Sequence, residues 1–168
     1  MDRFERLIVE QIPSLRRYAR TLTGHATQSE DLVQDCLARA LSRRRLWHAQ
    51  HEIRPWLFTI MHNVYVNQVR RDVVRSNHQS HVQSISERPT EPADKLLTIR
   101  DLETALHGLP HDHREILLLV GVEQLSYQET AKVLDIPIGT VMSRLSRARA
   151  RLREALRGTA SRRRAAVE

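Results

Sequence analysis

The sequence predicts an all-α protein of two small helical domains joined by a flexible linker, the C-terminal one containing a helix-turn-helix. Three observations predict it. Only five of the 168 residues are glycine and only 4% are aromatic, so turn punctuation and strand-type residues are scarce, while Leu, Ala, Arg and Glu favour helices. Apolar residues recur at helical spacing through most of the chain. Between residues 73 and 94 that periodicity lapses into Ser, His, Gln and Glu with Pro89 and Pro92, a stretch too long to sit unstructured inside one compact domain. The expected organisation is a first domain over 1–72, a linker over 73–94, a second domain over 95–158 and a disordered basic tail over 159–168.

Taken in order, Phe4, Leu7, Ile8 and Ile12 have helical spacing, and Pro13 marks a break or the first turn of a new helix carrying Leu15, Tyr18, Ala19 and Leu22. Gly24 ends it. Thr27 and Glu30 have the spacing of a capping box, which would open a helix from about Gln28 to Arg45 with Leu32, Val33, Cys36, Leu37, Ala40 and Leu41 buried. Asp31, Gln34 and Asp35 lie elsewhere on its surface. Leu46 to Arg54 breaks the pattern and reads as a loop. Pro55 then sits in the first turn of a helix whose Trp56, Leu57, Ile60, Met61 and Val64 form a core stripe. Asn63, Asn67, Arg70 and Arg71 gather toward its second half. Asparagine is a mediocre helix former, so two of them one turn apart fit either a functional face or a merely solvated one.

After the linker, Leu96, Leu97, Ile99, Leu102 and Leu106 mark a helix ending at Gly108-Leu109-Pro110, and Ile116 to Val120 marks another. Ser126 to Leu156 is the most specific stretch of the chain. Ser126 and Glu129 form a second capping-box pattern, the helix they open buries Ala131 and Leu134, and Asp135-Ile136-Pro137 stops it because Pro137 biases Ile136 away from helical angles. The following helix has Val141, Leu145, Ala148, Leu152 and Leu156 on one stripe and Thr140, Ser143, Arg144 and Arg147 on the other side. Hydroxyls and guanidinium groups near the N-terminus of such a helix match a helix-turn-helix that reads the DNA major groove. The plainer reading is a solvated basic face on an ordinary helical hairpin.

Charge sharpens the choice. The net charge is +7, and Gly139 to Glu168, with nine arginines against two glutamates, carries all of it. Positive charge concentrated on and after the reading helix is the footprint of nucleic-acid binding. A membrane surface is disfavoured because the apolar stripe is needed to hold the motif together, and no apolar run is long enough for a signal peptide or a span, so no membrane insertion is expected. Cys36 is the single cysteine, which allows no disulfide within the chain and makes a cytoplasmic location the expectation. His107, His111 and His113 with Asp112 fit no zinc spacing, so no metal or other cofactor is expected. Clustered carboxylates for metal, or a nucleophile with a base, are not evident, which argues against an enzyme.

These residues carry a family resemblance. EDLVQDCLARAL (Glu30 to Leu41), RPWLFTIMHN (Arg54 to Asn63), a polar linker, LPHDHREILLL (Leu109 to Leu119) and LSYQETAKVLDIPIGTVMSRLSRARARL (Leu125 to Leu152), in that order, closely resemble the bacterial extracytoplasmic-function sigma factors. The resemblance covers nearly the whole chain. It implies a region 2 domain over 1–72 and a region 4 domain over 95–158 that bind RNA polymerase core enzyme, at its largest and second-largest catalytic subunits, and direct it to promoter DNA. By resemblance, Asp31, Gln34 and Asp35 dock on the clamp coiled coil of the largest subunit. Asn63, Asn67, Arg70 and Arg71 handle the minus-ten element, where a base leaves the stack. Thr140, Ser143, Arg144 and Arg147 read the minus-thirty-five element, and the linker threads toward the active centre. The family is commonly silenced by an anti-sigma factor and responds to stress or other signals. The chain departs from the family pattern at Met61-His62, where an alanine-arginine pair is usual, and at Val66-Asn67-Gln68-Val69, where an aspartate and more basic residues are. Those departures bear on which minus-ten sequence is read. The competing function is a stand-alone helix-turn-helix regulator, whose first module would be a sensor with a ligand cavity.

Overall fold

A computed structural model describes residues 1–48, 52–76 and 93–167, except the side chains of 75–76, 93–98 and 160–167. All regular structure among the described residues is helical: α1 (Arg3–Thr23), α2 (Ala26–Ser42), α3 (Ile53–Ser76), α4 (Ala93–His107), α5 (His111–Leu117), α6 (Tyr127–Leu134) and α7 (Ile138–Val167). A 3-10 turn over Arg44–Leu46 follows α2, and a π turn over Leu118–Val122 follows α5. The chain divides into two compact units whose main division falls between α3 and α4.

In the first unit, Asp2 accepts from the Glu5 N–H at 3.0 Å while Glu5 accepts from the Asp2 N–H at 3.1 Å, a reciprocal cap that starts α1. Gly24, at φ 76°, ends it and returns its N–H to the Arg20 carbonyl at 2.9 Å. Pro13 was expected to break or restart this helix, and α1 instead runs through it. The proline lies on the exposed side, and burial of Ile8 before it and Leu15 and Tyr18 after it outweighs the lost hydrogen bond. The expected Thr27–Glu30 cap also does not form. The left-handed turn at Gly24 launches α2 at once, so it begins at Ala26 with uncapped His25 at its entry, and the Ser29 hydroxyl donates back to the Ala26 carbonyl at 2.7 Å.

The core of this unit lies where α1, α2 and α3 pack on one another. Tyr18 meets Phe58 edge-on at 5.0 Å, and Leu15, Leu22, Leu32, Val33, Leu57 and Met61 fill the space around them. Trp56, half-buried, is edge-on to Phe4 at 6.0 Å. Leu41, expected inside, is exposed, because α2 ends one residue later and has nothing beyond Ala40 to pack on. Cys36 donates its thiol to the Leu57 carbonyl at 3.6 Å, and burial pushes it up to about 12, so it packs as a small hydrophobe and carries no thiolate at neutral pH.

In the second unit α4 and α5 pack on α7. Arg114 closes the C-terminus of α4, donating to the carbonyls of Leu106 at 2.9 Å, His107 at 2.8 Å and Leu109 at 3.2 Å. Ser126 and Glu129 form the expected box, at 3.1 Å and 2.7 Å. α6 ends in a Schellman arrangement: Asp135 is left-handed at φ 52°, and the Ile136 N–H bonds the Ala131 carbonyl at 3.0 Å. The stop therefore precedes Pro137, whose carbonyl instead accepts the first N–H groups of α7, from Thr140 and Val141. Thr130, Val133 and Leu134 are the buried side of α6, and Ala131 is only half-buried. On α7, Val141, Leu145 and Ala148 are buried, with Leu152 and Leu156 half-buried. Of the apolar residues that mark α4, Ile99 and Leu102 are exposed and Leu106 is buried.

The linker expected over 73–94 lies mostly outside the described residues, and its described ends, 73–76 and 93–94, are helical. The tail expected to be disordered continues α7 to Val167. With no proline after Pro137 and no glycine after Gly158, the Ala- and Arg-rich end has good helix formers and nothing to stop it.

Candidate nucleic-acid interface

The residues singled out in the sequence fall on three helix faces. On α2, Asp31, Gln34 and Asp35 are all exposed. They sit at i, i+3 and i+4 and so share one face, opposite the buried Leu32, Val33 and Cys36. On α3, Asn63, Asn67, Arg70 and Arg71 are exposed and run along one side toward the helix's C-terminal half, while Leu57, Ile60, Met61 and Val64 nearer its start are buried. Asp35 accepts from the Gln68 amide at 3.4 Å, so the acidic face of α2 adjoins the Asn-bearing stretch of α3. Spacing could not show this, since the two residues are 33 apart.

On α7 the third set is ordered by its own backbone. The Ser143 hydroxyl donates to the Thr140 carbonyl at 3.2 Å, and the Arg147 guanidinium donates to the Ser143 carbonyl at 3.3 Å. Ser143 and Arg147 are exposed, and Thr140 and Arg144 half-buried. Arg144 differs from Arg147. Its Nε lies 3.7 Å from the Asp112 carboxylate at the start of α5, a partner the sequence reading did not identify. Farther along, Arg149, Arg151, Arg153 and Arg157 are exposed and extend the positive charge.

Beneath this face lies His113, 7% exposed and on α5. Its Nδ1 has no hydrogen-bond partner. Burial lowers its pKa below the ordinary 6.5; Asp112 pulls the other way, and Arg151, Arg147 and Arg144 add to the lowering. A neutral imidazole thus underlies a cationic surface. Among the described residues no group of three or more His, Cys, Asp or Glu side chains is placed to hold a metal ion, and no helix is long and apolar enough to cross a membrane.

Chemically, the arrangement offers two surfaces suited to DNA and one suited to a protein. Amides with adjacent arginines on α3 can pair with a base edge and track phosphates of a separated strand. Hydroxyls and guanidinium groups on the first turns of α7 can meet base edges in a major groove. The carboxylates of α2 suit a basic protein surface.

Comparison with known proteins agrees with both units. Residues 8–62 match the family described as the sigma2 domain of PhyR, and residues 99–152 match sigma-70 region 4. The chain is 35% identical over 147 residues to the ECF RNA polymerase sigma factor EcfG of Rhodopseudomonas palustris, covering 86% of this chain and 80% of that protein. It is similar, at TM-score 0.82 and 32% identity, to the sigma factor RpoE of Bartonella quintana, solved in complex with the anti-sigma factor NepR; the match covers 92% of this chain and 96% of that one. CnrH, solved with the cytosolic domain of CnrY, matches at TM-score 0.68 and 26% identity over 92% of this chain and 88% of its own.

Proposed function

Because the chain belongs to the extracytoplasmic-function sigma factors of RNA polymerase, we propose that it docks on core enzyme through α2, holds an opened minus-ten strand on α3 and reads the minus-thirty-five element with α7. It is a specificity subunit in transcription initiation and not a stand-alone regulator. The observation that carries this is the pairing of region 2 over 8–62 with region 4 over 99–152 in one chain, since a lone helix-turn-helix regulator has no use for the first. Its contribution is recognition without catalysis of its own, in the cytoplasm where polymerase works.

On this reading Asp31, Gln34 and Asp35 contact the clamp coiled coil of the largest subunit. Asn63 holds a flipped base, because an amide offers both donor and acceptor to an edge that has left the duplex. Asn67 extends that face, and Arg70 and Arg71 supply charge to the strand's phosphates. Unstacking costs a few kcal/mol, so such a protein needs a fitted base contact and tolerates few substitutions in its promoter. Control by an anti-sigma factor is supported by the relative solved in such a complex, and a stress or other signal would act through that partner.

The test is reconstitution. Full-length protein added to core polymerase should co-purify with it and start RNA at a small set of promoters, identified by sequencing the transcripts. Asn63→Ala should lose affinity for the single-stranded minus-ten element while keeping core binding. Failure to bind core would leave the regulator reading, and wild-type behaviour of Asn63→Ala on ordinary and pre-melted promoters would remove the flipped-base role.

A further inference from the structure

Arg144 is the α7 side chain of the proposed reading set that is tied to another helix by an ion pair, and the tie comes from a residue that none of the family motifs assigns to DNA. Asp112 stands at the start of α5, which packs on α7. One of its oxygens, Oδ1, accepts the N–H of His113 at 3.0 Å, and the other, Oδ2, faces Arg144 Nε at 3.7 Å. The next residue, His113, is buried, which fixes where Asp112 stands. The Arg144 side chain is 25% exposed and that of Asp112 is 37% exposed. The contact uses the inner nitrogen of the guanidinium. The outer pair, Nη1 and Nη2, is the pair that forks onto O6 and N7 of guanine.

We propose that Asp112 is a specificity-determining positioning residue for minus-thirty-five recognition: its carboxylate holds Arg144 and cancels its charge toward phosphates, so that Arg144 contributes to binding mainly when a matching base edge is present. The proposal rests on the reading that α7 enters the major groove. Its logic is electrostatic. Every uncompensated arginine on a DNA-facing surface strengthens binding to any sequence by releasing counterions, and so lowers the ratio of specific to random affinity. A carboxylate beside the arginine removes one such charge and is itself repelled by the backbone, an element that works against wrong sites as well as for the right one. Anchored on the His113 N–H, Asp112 also limits the rotamers of Arg144, which a two-pronged contact rewards. Arg147, bonded only to the backbone carbonyl of its own helix in the contacts described above, supplies the contrast.

The experiment uses full-length protein assembled with core polymerase. A minus-thirty-five element is first selected by the wild type from a randomised duplex pool, and affinities for the selected duplex and the unselected pool are then measured across salt. Asp112→Asn keeps an acceptor for the His113 N–H and removes the charge. It should bind the pool about threefold or more tightly, with a salt slope steeper by about one phosphate, and its selected-to-pool ratio should fall. In an Arg144→Ala background the same change should not lower the ratio further. Asp112→Ser, which also offers an acceptor, should behave alike and covers a failure of the first variant to fold. Wild-type pool affinity, slope and ratio in Asp112→Asn, with Arg144→Ala still relaxing the preference, would overturn the positioning role alone. An unchanged ratio in Arg144→Ala would overturn the major-groove reading and the proposal with it.

Discussion

In the first unit the buried interior is aromatic and aliphatic, with Tyr18 edge-on to Phe58, and Ser29 is its one buried polar residue among those described. The second unit buries His113, Glu115, Glu123 and Thr130 beside Ile116, Leu119 and Leu145. Burial of apolar surface is non-directional and indifferent to pH. A buried polar group ties stability to its partners and, if it titrates, to pH. The difference teaches how each unit presents its surface. The first projects Asp31, Gln34, Asn63 and Asn67 from long helices held from behind by hydrophobic packing. The second sets at least one side chain of the proposed reading set, Arg144, by a polar contact from a neighbouring helix.

The largest expected effect breaks the comparison at the apolar end. Phe58→Ala removes the ring that Tyr18 packs on and should cost about 3–5 kcal/mol. Both tryptophans, Trp47 and Trp56, lie in the first unit, so their fluorescence reports its unfolding in urea while amide exchange in α7 reports the second. The fluorescence transition should move and α7 protection should hold. Equal loss in both would show that the two cores do not stand separately.

Next in size is the surface proposed to meet core polymerase. Asp35 is exposed and bonded only weakly, to Gln68 at 3.4 Å, so Asp35→Lys should leave the urea transition near wild type. Binding to core polymerase should weaken by on the order of 2–5 kcal/mol, the scale of a charge lost or reversed in a paired contact. Undiminished binding would remove α2 from the interface.

These two changes also mark what was legible in the sequence. Ser126 and Glu129, Gly24 and the stripe through Val141, Leu145 and Ala148 could be read because they are local: a cap spans one turn and a stripe repeats every turn. Thr27 and Glu30 have the same spacing as a working cap yet do not cap, since Gly24 had already turned the chain into α2 at Ala26. Pro13 carries the local signal of a break, yet the burial of Leu15 and Tyr18 outweighs its poor helix propensity. The faces carrying Asp31, Asn63 and Arg144 followed from periodicity, but the pairs Asp35–Gln68 and Asp112–Arg144 join residues far apart in the chain. No spacing rule connects such residues before the helices are packed.

A smaller effect tests the reading helix. Arg144→Ala should cost about 1–3 kcal/mol on the preferred minus-thirty-five duplex and relax its sequence preference. Arg153→Ala, farther along α7, should weaken selected and random duplexes alike, as a phosphate contact does. Equal losses on both duplexes for Arg144→Ala would make the two arginines equivalent.

The smallest effect goes to a feature that separates the units among the described residues, a buried imidazole. Burial, reinforced by Arg151, Arg147 and Arg144 and opposed by Asp112, lowers the pKa of His113 below its unfolded value of 6.5. The sign follows from proton counts. Between the lowered folded pKa and 6.5 the unfolded chain binds a proton that the folded one refuses, so this contribution to stability is present above 6.5 and is lost as pH falls from there toward the folded pKa. Protonation would also add a cation under three arginines. The second unit should therefore loosen in mild acid. The chain has nine histidines, so the pH dependence of the wild type alone does not isolate this one. The comparison is with His113→Gln, which is neutral throughout: amide protection in α5 and α7, corrected for intrinsic exchange, should fall less for the variant than for the wild type on going from pH 7.5 to about 5.5. The urea transition seen by Trp47 and Trp56 should respond equally to pH in both proteins, because His113 belongs to the other unit. Identical pH profiles for α7 would mean that the imidazole takes up its proton in the folded state as readily as in the unfolded one.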